Sequence, residues 1–554
     1  ADKISFGELA EAAAGYDLPD NLPVRGGLEN RLTGQALPRI DLPSKVDGSA
    51  QFAADIRLPD MVYASVRQGP IGDSRIVRVD RGAAKRIPGV LAVFENPGWA
   101  AVVATNWWAA NRAVEAIKPY FETKGGLVDT ARVEDALNAA LAGGEPTRVY
   151  RKGDVEAAHA GGDFFRTEYA VGVAPNAPLE TLTATARVTG DRLEIWAPTQ
   201  APGFARAAAA RASGFGAEQV TVYPTLIGSG YGRKLETAAV EQAAMLALQM
   251  KRPVQVVWSR IEETMQDSFR PPARAAMRAR IDRAGRVLGW EARIAAPSVG
   301  RQVIGRLRSG SGAPAGEADP SAVDGAAPPY AIPAVAVDHL PADIALKSGI
   351  WRSGAHSYTA FFSESFVDEL ARKANIEPLS FRMQMLGDNP RLARVLTTAA
   401  MLGGWDGGQP GSSMGIAAHS CFGSYVATLV EAEVGPDQRA RVTRAVCAVD
   451  VGRVINPEIV KQLIEGGIVY GIAGATGHPI RFSRGLPDRR DLAGLGLPTL
   501  TSSPEVTVEI LESEEDPGGV TELGVPTIAP ALANALFALT GRRLRTLPLV
   551  IGGA

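Results

Sequence analysis

The stretch Gly518-Gly519-Val520-Thr521-Glu522-Leu523-Gly524-Val525-Pro526 places one carboxylate inside a glycine-rich turn. A strand-like apolar run, Val506 to Leu511, precedes the turn, and a helical run, Ala531 to Leu539, follows it. Such a turn can hold Glu522 in a cavity where water is scarce. Burial would then raise the pKa of the Glu522 carboxyl group and suit it to general-base catalysis near neutral pH. Taken alone, the turn favours a solvated loop residue or a helix-capping carboxylate, because charged loop residues are mostly exposed.

Length and composition place the chain among ordinary globular proteins. Its 554 residues correspond to roughly three to four folding units. The net charge of −2 shows no basic excess, which argues against nucleic acid as a partner. No apolar run approaches the ~18 residues that would predict a membrane span.

Cysteine and histidine usage limits the metal chemistry that the sequence predicts. Cys421 and Cys447 lie in strand-like apolar runs and are expected to be buried thiols. Without a CxxC pair, we expect neither a zinc ribbon nor an iron–sulfur cluster held by this chain. The histidines are scattered, without HExxH-type spacing, which argues against a histidine-ligated metal site. They are His159, His339, His356, His419 and His478.

The pattern of helices and strands predicts an α+β or mixed α/β chain of several layers. A connector is expected over 1–40, a compact α+β unit over 41–125, and a longer region of strands and helices over 126–300. Residues 301–339 are rich in Gly, Ser, Ala and Pro and are interpreted as a linker. Alternating helices and strands return over 340–554 and include the Glu522 turn.

A glycine loop, Ile227-Gly228-Ser229-Gly230-Tyr231-Gly232-Arg233-Lys234, follows one predicted strand and leads into a helix. Its backbone N–H groups could bind an anion or a metal oxo group. A dinucleotide-binding fingerprint needs glycine where Arg233 stands, so a nicotinamide site is disfavoured. A purely structural turn remains an open alternative.

Two further polar residues stand at the ends of predicted elements. Gln200 follows a strand in Trp196-Ala197-Pro198-Thr199-Gln200, and its amide could donate into a pocket or cap the next helix. Arg352 lies in Gly349-Ile350-Trp351-Arg352-Ser353-Gly354 and could neutralise an anion. A surface ion pair is the alternative for Arg352.

The order of these pieces is specific. A Thr-Gln pair, a GxGYG loop, an Arg-Ser-Gly turn and a Gly-Val-x-Glu turn together resemble the molybdenum-binding large subunit of the xanthine oxidase/aldehyde oxidoreductase family. The similarity is greatest to the branch typified by the beta chain of isoquinoline 1-oxidoreductase. Further matching segments cover nearly the whole chain: Lys45 to Ala50, Val254 to Arg260, Ser363 to Leu370, Ala448 to Pro457, and Ile528 to Ala535.

This resemblance implies a fold and a reaction. It implies a hammerhead-like α/β domain over 41–125, followed by multi-layer molybdenum-cofactor-binding domains whose two parts are 126–300 and 340–554. The implied cofactor is molybdopterin cytosine dinucleotide, with molybdenum held by the pterin and no iron–sulfur cluster or flavin in this chain. The implied reaction oxidises an aldehyde or an N-heteroaromatic substrate with water as the oxygen source, and Glu522 serves as the base.

The resemblance also assigns roles to individual residues. Those expected to bind the cofactor are Gln200, Gly228, Ser229, Gly230, Tyr231, Gly232, Arg352 and Thr521. Those expected to line a pocket suited to an aromatic ring are Trp351, His356 and Tyr358.

Four positions depart from the family pattern. Ser229 and Tyr231 stand where the family usually has Gly and Phe, and Thr521 replaces a common glycine. Leu463 stands where relatives often have a glutamine that faces the cofactor. These departures leave open an inactive scaffold or partner-binding paralogue with the same fold.

Partner chains are expected from the resemblance and from electron flow. A second chain is expected to supply leading pterin-binding segments that this sequence lacks. A [2Fe–2S] small subunit is expected to accept the electrons, with a cytochrome c as the candidate for the next acceptor, and nucleic acid is not an expected partner. The resemblance favours the periplasm over the cytoplasm, whereas the substrate and the final electron acceptor stay open.

Overall fold

A computed structural model describes residues 3–22, 30–160, 164–310 and 316–552 of the chain. Helices and strands are numbered along the chain. Helix α1 (Phe6–Ala14) lies in the expected connector with every residue exposed, and α2 (Leu42–Val46) follows it. The connector residues 23–29 fall outside the described ranges. Among the described residues, no helix combines the length and apolar character needed to cross a membrane.

The first sheet has seven strands in the order β10-β9-β8-β11-β1-β4-β3. Its strands are β1 (Val62–Gln68), β3 (Val90–Asn96), β4 (Trp99–Ala104), β8 (Thr183–Thr189), β9 (Arg192–Ala197), β10 (Val220–Pro224) and β11 (Val254–Val257). The helices α3 (Arg81–Lys85), α4 (Trp107–Ala116), α7 (Pro202–Ser213) and α8 (Ala238–Met250) accompany it. Because β1 pairs with β11 in parallel, one sheet crosses the boundary expected near residue 125. A small separate sheet joins β2 (Asp73–Arg78) to β5 (Tyr120–Lys124).

The second sheet has six strands in the order β21-β7-β12-β13-β14-β6. They are β6 (Thr147–Lys152), β7 (Phe165–Val171), β12 (Ala273–Ile281), β13 (Val287–Ala296), β14 (Ala334–Pro341) and β21 (Thr546–Leu547). The helices of this part of the chain are α5 (Thr130–Gly143), α6 (Val155–His159), α9 (Arg260–Met265) and α10 (Val299–Ser309). Strand β21 therefore lies at the edge of a sheet whose other strands come from the middle of the chain.

The third sheet contains β20, which precedes the Glu522 turn, and packs against α15, which follows the turn. Its order is β15-β16-β17-β20, with β15 (Met414–Cys421), β16 (Ser424–Val434), β17 (Ala440–Asp450) and β20 (Glu505–Ile510). The helices are α11 (His356–Lys373), α12 (Pro378–Met383), α13 (Pro390–Gly403), α14 (Pro457–Thr476) and α15 (Ile528–Thr540). A two-stranded sheet pairs β18 (Phe482–Ser483) with β19 (Leu486–Pro487). This mixture of sheets and helices in layers confirms the predicted α+β multi-layer class.

The linker interpretation of 301–339 needs correction. Helix α10 covers its first part, a 3₁₀ turn spans Pro320–Val323, and β14 pairs with two neighbours inside the six-stranded sheet. Ala322 and Ile332 are buried in the main core. Small residues here permit close packing, and composition alone does not distinguish that from a flexible connection. Residues 311–315 of the expected linker lie outside the described part.

Helix α11 runs through the core, and its Glu364 side chain is hydrogen-bonded to three other segments of the chain. The Glu364 carboxylate accepts hydrogen bonds from Arg382 of α12 at 2.9 Å, from Tyr330 at 2.6 Å and from the Ala418 N–H of β15 at 2.9 Å. Both members of the Arg382–Glu364 ion pair are buried. Burial alone would lower the pKa of Arg382, but the neighbouring carboxylate raises it, so the charge is retained. The pair fixes where α11 lies, and the first turn of α11 borders the cavity described below.

Arg382→Met should destabilise the fold strongly. It leaves a buried carboxylate without its cation, which costs about 3–5 kcal/mol and should appear as a large fall in the urea unfolding midpoint. The control is Arg441→Met, whose ion pair with Asp437 is 42% and 45% exposed and is worth about 0–1 kcal/mol. Equal midpoints for the two variants would contradict the role given to Glu364.

Candidate functional site

The Glu522 turn lies between β20 and α15, as predicted, and its carboxylate is half-buried. The Ser353 N–H donates to one Glu522 carboxylate oxygen, and the Ser353 hydroxyl donates to the Glu522 carbonyl at 2.5 Å. Burial raises the pKa of Glu522, whereas the Ser353 N–H and the Arg352 charge oppose that rise. The direction of the shift agrees with the prediction for a base in a cavity.

Arg352 attaches the Glu522 turn to α14. Its Nε donates to the Thr521 carbonyl at 2.8 Å, and its Nη2 donates to the Leu463 carbonyl at 2.9 Å. The side chain is buried, and both bonds go to backbone oxygens. Arg352 is therefore a structural cation beside Glu522 rather than a surface ion-pair partner. Its burial lowers the pKa of the guanidinium, and the Glu522 carboxylate opposes that change.

Glycines allow α14 and the Glu522 turn to touch. A Cβ on Gly467 would come within 2.8 Å of the Gly524 Cα, and a Cβ on Gly524 would lie 2.4 Å from the Ile464 carbonyl oxygen. Neither glycine has positive φ, so steric room, not backbone freedom, is what each one provides. The two backbones can therefore meet only where both residues lack side chains.

Gln200 follows β9 and borders the glycine loop. The Gln200 side-chain Oε1 accepts a hydrogen bond from the Lys234 backbone N–H at 3.2 Å, and the Gln200 backbone N–H donates to the Lys234 carbonyl at 3.0 Å. A Cβ on Gly230 would lie 2.9 Å from that Oε1. Because Oε1 is bound to the loop, the Nε2 end of the amide is the donor that it can offer elsewhere.

The glycine loop divides into a structural part and a part that reaches the cavity. The Gly228 N–H donates to Glu180 at 3.0 Å, and the Ser229 hydroxyl oxygen accepts the Leu179 N–H at 2.7 Å. Tyr231 stacks on Tyr470 of α14 with ring centroids 4.3 Å apart. Gly228 and Ser229 are thus hydrogen-bonded to the neighbouring segment, whereas Tyr231 and Gly232 line the cavity described next.

A cavity of about 520 Å³ brings most of the predicted site residues together. The predicted residues that line it are Gln200, Tyr231, Gly232, Trp351, Arg352, His356, Tyr358, Thr521 and Glu522. Gly228, Ser229 and Gly230 are not among the residues that line this cavity. Tyr358 is fully buried, and its hydroxyl donates to the Ala322 carbonyl at 2.5 Å, so it supplies ring surface rather than a free hydroxyl.

Sequence reasoning missed other residues of this wall. Ser353, Leu463, Ser321, Asp324 and Phe422 also line the cavity. The sequence marks Leu463 only as a departure from the family pattern, and Ser321 and Asp324 belong to the supposed linker. Phe422 has φ of 53° in the tight connection between β15 and β16. Its Phe-Gly sequence signals a turn but not where that turn lies.

The scattered histidines need a second correction. His356 Nδ1 and His419 Nε2 are 2.8 Å apart, although 63 positions separate them in sequence. Burial lowers the pKa of His356 to about 4, so this side chain is neutral at pH 7. Cys421 and Cys447 are buried free thiols, as predicted.

An aromatic wall separates this cavity from a second one of about 410 Å³. Tyr231 and Trp351 line both cavities, and Tyr470 lines the second. The Trp351 and Tyr470 ring centroids are 4.5 Å apart. The flat rings form an apolar side of the first cavity. Glu522 and Gln200 are among the polar groups that line it.

The sequence of the chain is similar to family models and to known proteins. Residues 142–386 match a family model described as a molybdopterin cofactor-binding domain, and residues 398–504 match a second model with that description. Isoquinoline 1-oxidoreductase subunit beta from Brevundimonas diminuta is 29% identical, over 94% of this chain and 68% of that protein. A nicotinate dehydrogenase subunit from Pseudomonas putida is 26% identical, over 99% of this chain and 48% of that protein.

Solved structures share the fold. Quinoline 2-oxidoreductase from Pseudomonas putida 86 superposes with a TM-score of 0.76 at 15% identity, covering 94% of this chain and 97% of that one. At this identity the likeness concerns architecture, and it agrees with the α+β multi-layer class.

Gly467→Ala should displace the Glu522 turn, because the added methyl would overlap the Gly524 backbone. We expect a lower melting temperature and, in the active complex, a fall in kcat/KM. Gly466→Ala is the matched control on the same helix, because its Cβ would meet only Arg352 Nη1 at 3.8 Å, an ordinary contact. Thermal unfolding and steady-state kinetics of the two variants test the contact. Indistinguishable variants would refute the close approach.

Proposed function

The chain belongs to the molybdopterin-binding large subunits of the xanthine oxidase/aldehyde oxidoreductase family, and on that premise we propose that it is the catalytic part of a molybdenum-dependent oxidoreductase. The substrate that we propose is an aldehyde or an N-heteroaromatic compound, with water as the oxygen source. One observation carries the proposal: Glu522, whose pKa is raised by burial, lines the same cavity as the Gln200 amide.

The residues of the cavity fit the implied cofactor. A metal held by its pterin needs hydrogen-bond donors and space from the protein, not ligating side chains. Gln200 offers its Nε2 donor, since its Oε1 is bound to the Lys234 N–H. Gly354 lines the cavity with φ of +52° and has open space where a Cβ would stand. We propose that molybdopterin cytosine dinucleotide places its metal end here.

When bound, the molybdenum cofactor supplies the oxidising centre that takes up two electrons from the substrate. The protein's contribution begins at Glu522. One Glu522 oxygen is committed to the Ser353 N–H, so the other is free to take the proton of the water-derived nucleophile. Burial keeps that oxygen basic, and the Arg352 charge limits the rise in its pKa. The raised pKa makes the carboxylate a stronger base than an exposed glutamate would be.

Positioning falls to the groups around the base. Arg352 and Ser353 hold the turn by its Thr521 and Glu522 carbonyls, which fixes the direction of the Glu522 side chain. Trp351 and Tyr231 offer flat apolar faces that suit a planar ring. Restricting both base and substrate in this way reduces the entropy that the reaction must lose.

We further propose that a [2Fe–2S] partner subunit accepts the electrons. Each turnover delivers two electrons to the cofactor, and they must leave before the next. Cys421 and Cys447 are both buried in separate strands and cannot supply the four thiolates of a cluster. Both relatives described above are named as subunits, which agrees with a heteromeric assembly.

Glu522→Gln tests the base directly. The amide keeps the size of the side chain but cannot accept the proton, so kcat should fall by about 10²- to 10⁴-fold while molybdenum content is unchanged. Glu514→Gln, which alters an exposed carboxylate in the preceding stretch, is the control and should leave kcat unchanged. Full activity in the Glu522 variant would remove the assigned role, and the inactive-scaffold alternative predicts no turnover in any variant.

Arg352→Met should shift the pH profile. The Arg352 charge lowers the pKa of Glu522, so its loss raises that pKa further. The base must be ionised to work, and the acid limb of kcat/KM should therefore move to higher pH. Arg352→Lys keeps the charge and should move the limb less. An acid limb at the same pH in wild type and Arg352→Met would show that another group controls it.

A further inference from the structure

We propose that His356, His419 and Cys421 form a metal site in the wall of the cavity, and that this site takes a thiophilic d-block cation, Zn²⁺ or Cu⁺. The site uses side chains to which the reaction above gives no ligand role. The inference does not rest on the proposed oxidoreductase function.

The topology of the chain brings the three side chains together. His419 and Cys421 are alternate residues of β15, so their side chains leave the same face of the sheet. His356 is the first residue of α11 and meets that face from the helix side. One ligand atom from each residue lies within 4.8 Å of the other two, and all three residues are buried.

The spacing suits a first-row metal. Zinc binds histidine nitrogen at about 2.0–2.1 Å and cysteine sulfur at about 2.3 Å, so tetrahedral ligand atoms lie about 3.3–3.6 Å apart. The 2.8 Å separation of His356 Nδ1 and His419 Nε2 would need to widen only slightly. The three ligand atoms already lie within 4.8 Å of one another. The Cys421 sulfur would therefore need only a small inward movement to reach tetrahedral spacing.

A hydrogen bond between the two imidazoles does not satisfy the pair. His419 Nδ1 is buried and has no hydrogen-bond partner among the residues that the structure describes. Buried ring nitrogens are normally paired, so an orphan calls for an explanation. Turning the ring about its Cβ–Cγ bond exchanges the two edges, so either nitrogen of His419 can face the site. With the ring turned, a bound cation would be the partner of His419 Nδ1, the nitrogen that lacks one here.

The donor set selects the ion. Two imidazoles and one thiolate are borderline-to-soft ligands that favour Zn²⁺ and copper, whereas Mg²⁺ and Ca²⁺ prefer oxygen. Binding converts the Cys421 thiol to a thiolate, and its proton passes to the solvent. No oxidant or reductant takes part.

Access comes from the cavity. His356 and Phe422 both line it, and their ring centroids are 5.1 Å apart. A cation can therefore reach the His356 imidazole from the cavity side. Three protein ligands leave one tetrahedral position for water, as in open zinc sites.

Metal titration of the purified complex tests the proposal. After dialysis against a chelator, addition of Co²⁺ as a probe should produce a near-ultraviolet thiolate-to-cobalt charge-transfer band, and one equivalent of Zn²⁺ per chain should remove it. Cys421→Ser should abolish the band and weaken Zn²⁺ binding at least about 100-fold, because even changes in outer-shell partners cost 10- to 100-fold.

Cys447→Ser is the matched control. Cys447 is also a buried thiol, on strand β17 of the same sheet, and lies outside the cluster, so its loss should leave the band in place. His356→Gln alters the cavity-facing ligand and should weaken Zn²⁺ binding without removing the thiol. Absence of the band in wild type, or its loss in Cys447→Ser alone, would overturn the proposal. The wild-type spectrum decides the matter even if Cys421→Ser does not fold.

Discussion

The attachment of the Glu522 turn to the Arg352–Ser353 turn is the contact on which the rest of the site depends. Arg352 binds the carbonyls of Thr521 and Leu463 at 2.8 and 2.9 Å, so it joins the C-terminal turn to α14. Ser353 then donates its N–H to the Glu522 carboxylate. A buried guanidinium with backbone partners costs desolvation energy, and here it limits the pKa rise that burial imposes on the base. Structure and proposed chemistry share one set of hydrogen bonds.

Much of the fold could be predicted because local patterns agree with the tertiary arrangement. The apolar runs Val506 to Leu511 and Ala531 to Leu539 predict a strand and a helix, and the structure has β20 and α15 within a few residues of those bounds. The linker prediction for 301–339 is wrong because glycine, alanine and serine predict loops locally but also permit close packing. Strand β14 lies inside a sheet whose neighbours come from distant parts of the chain. Such pairing is a tertiary property that a window of sequence does not contain.

The order of the motifs, and not any one residue, predicts the site. Glu522, Gln200 and Arg352 line one cavity, whereas Gly228 and Ser229 are bonded to Glu180 and Leu179 and do not line it. The proximity of His356 and His419 could not be predicted from the sequence, because it depends on how α11 meets β15. The absence of ligand spacing in sequence is thus a weak argument against a metal site, since strands and helices can assemble one from distant residues.

We propose that this cavity serves a molybdenum cofactor and that Glu522 is the base of its reaction. Metal and pterin analysis of the purified, catalytically active complex tests it most directly, because a scaffold of the same fold needs neither. If the cavity holds this cofactor, the complex should contain molybdenum in amounts that match the chain, together with a releasable pterin cytosine dinucleotide. Active protein that contains neither molybdenum nor pterin would contradict it.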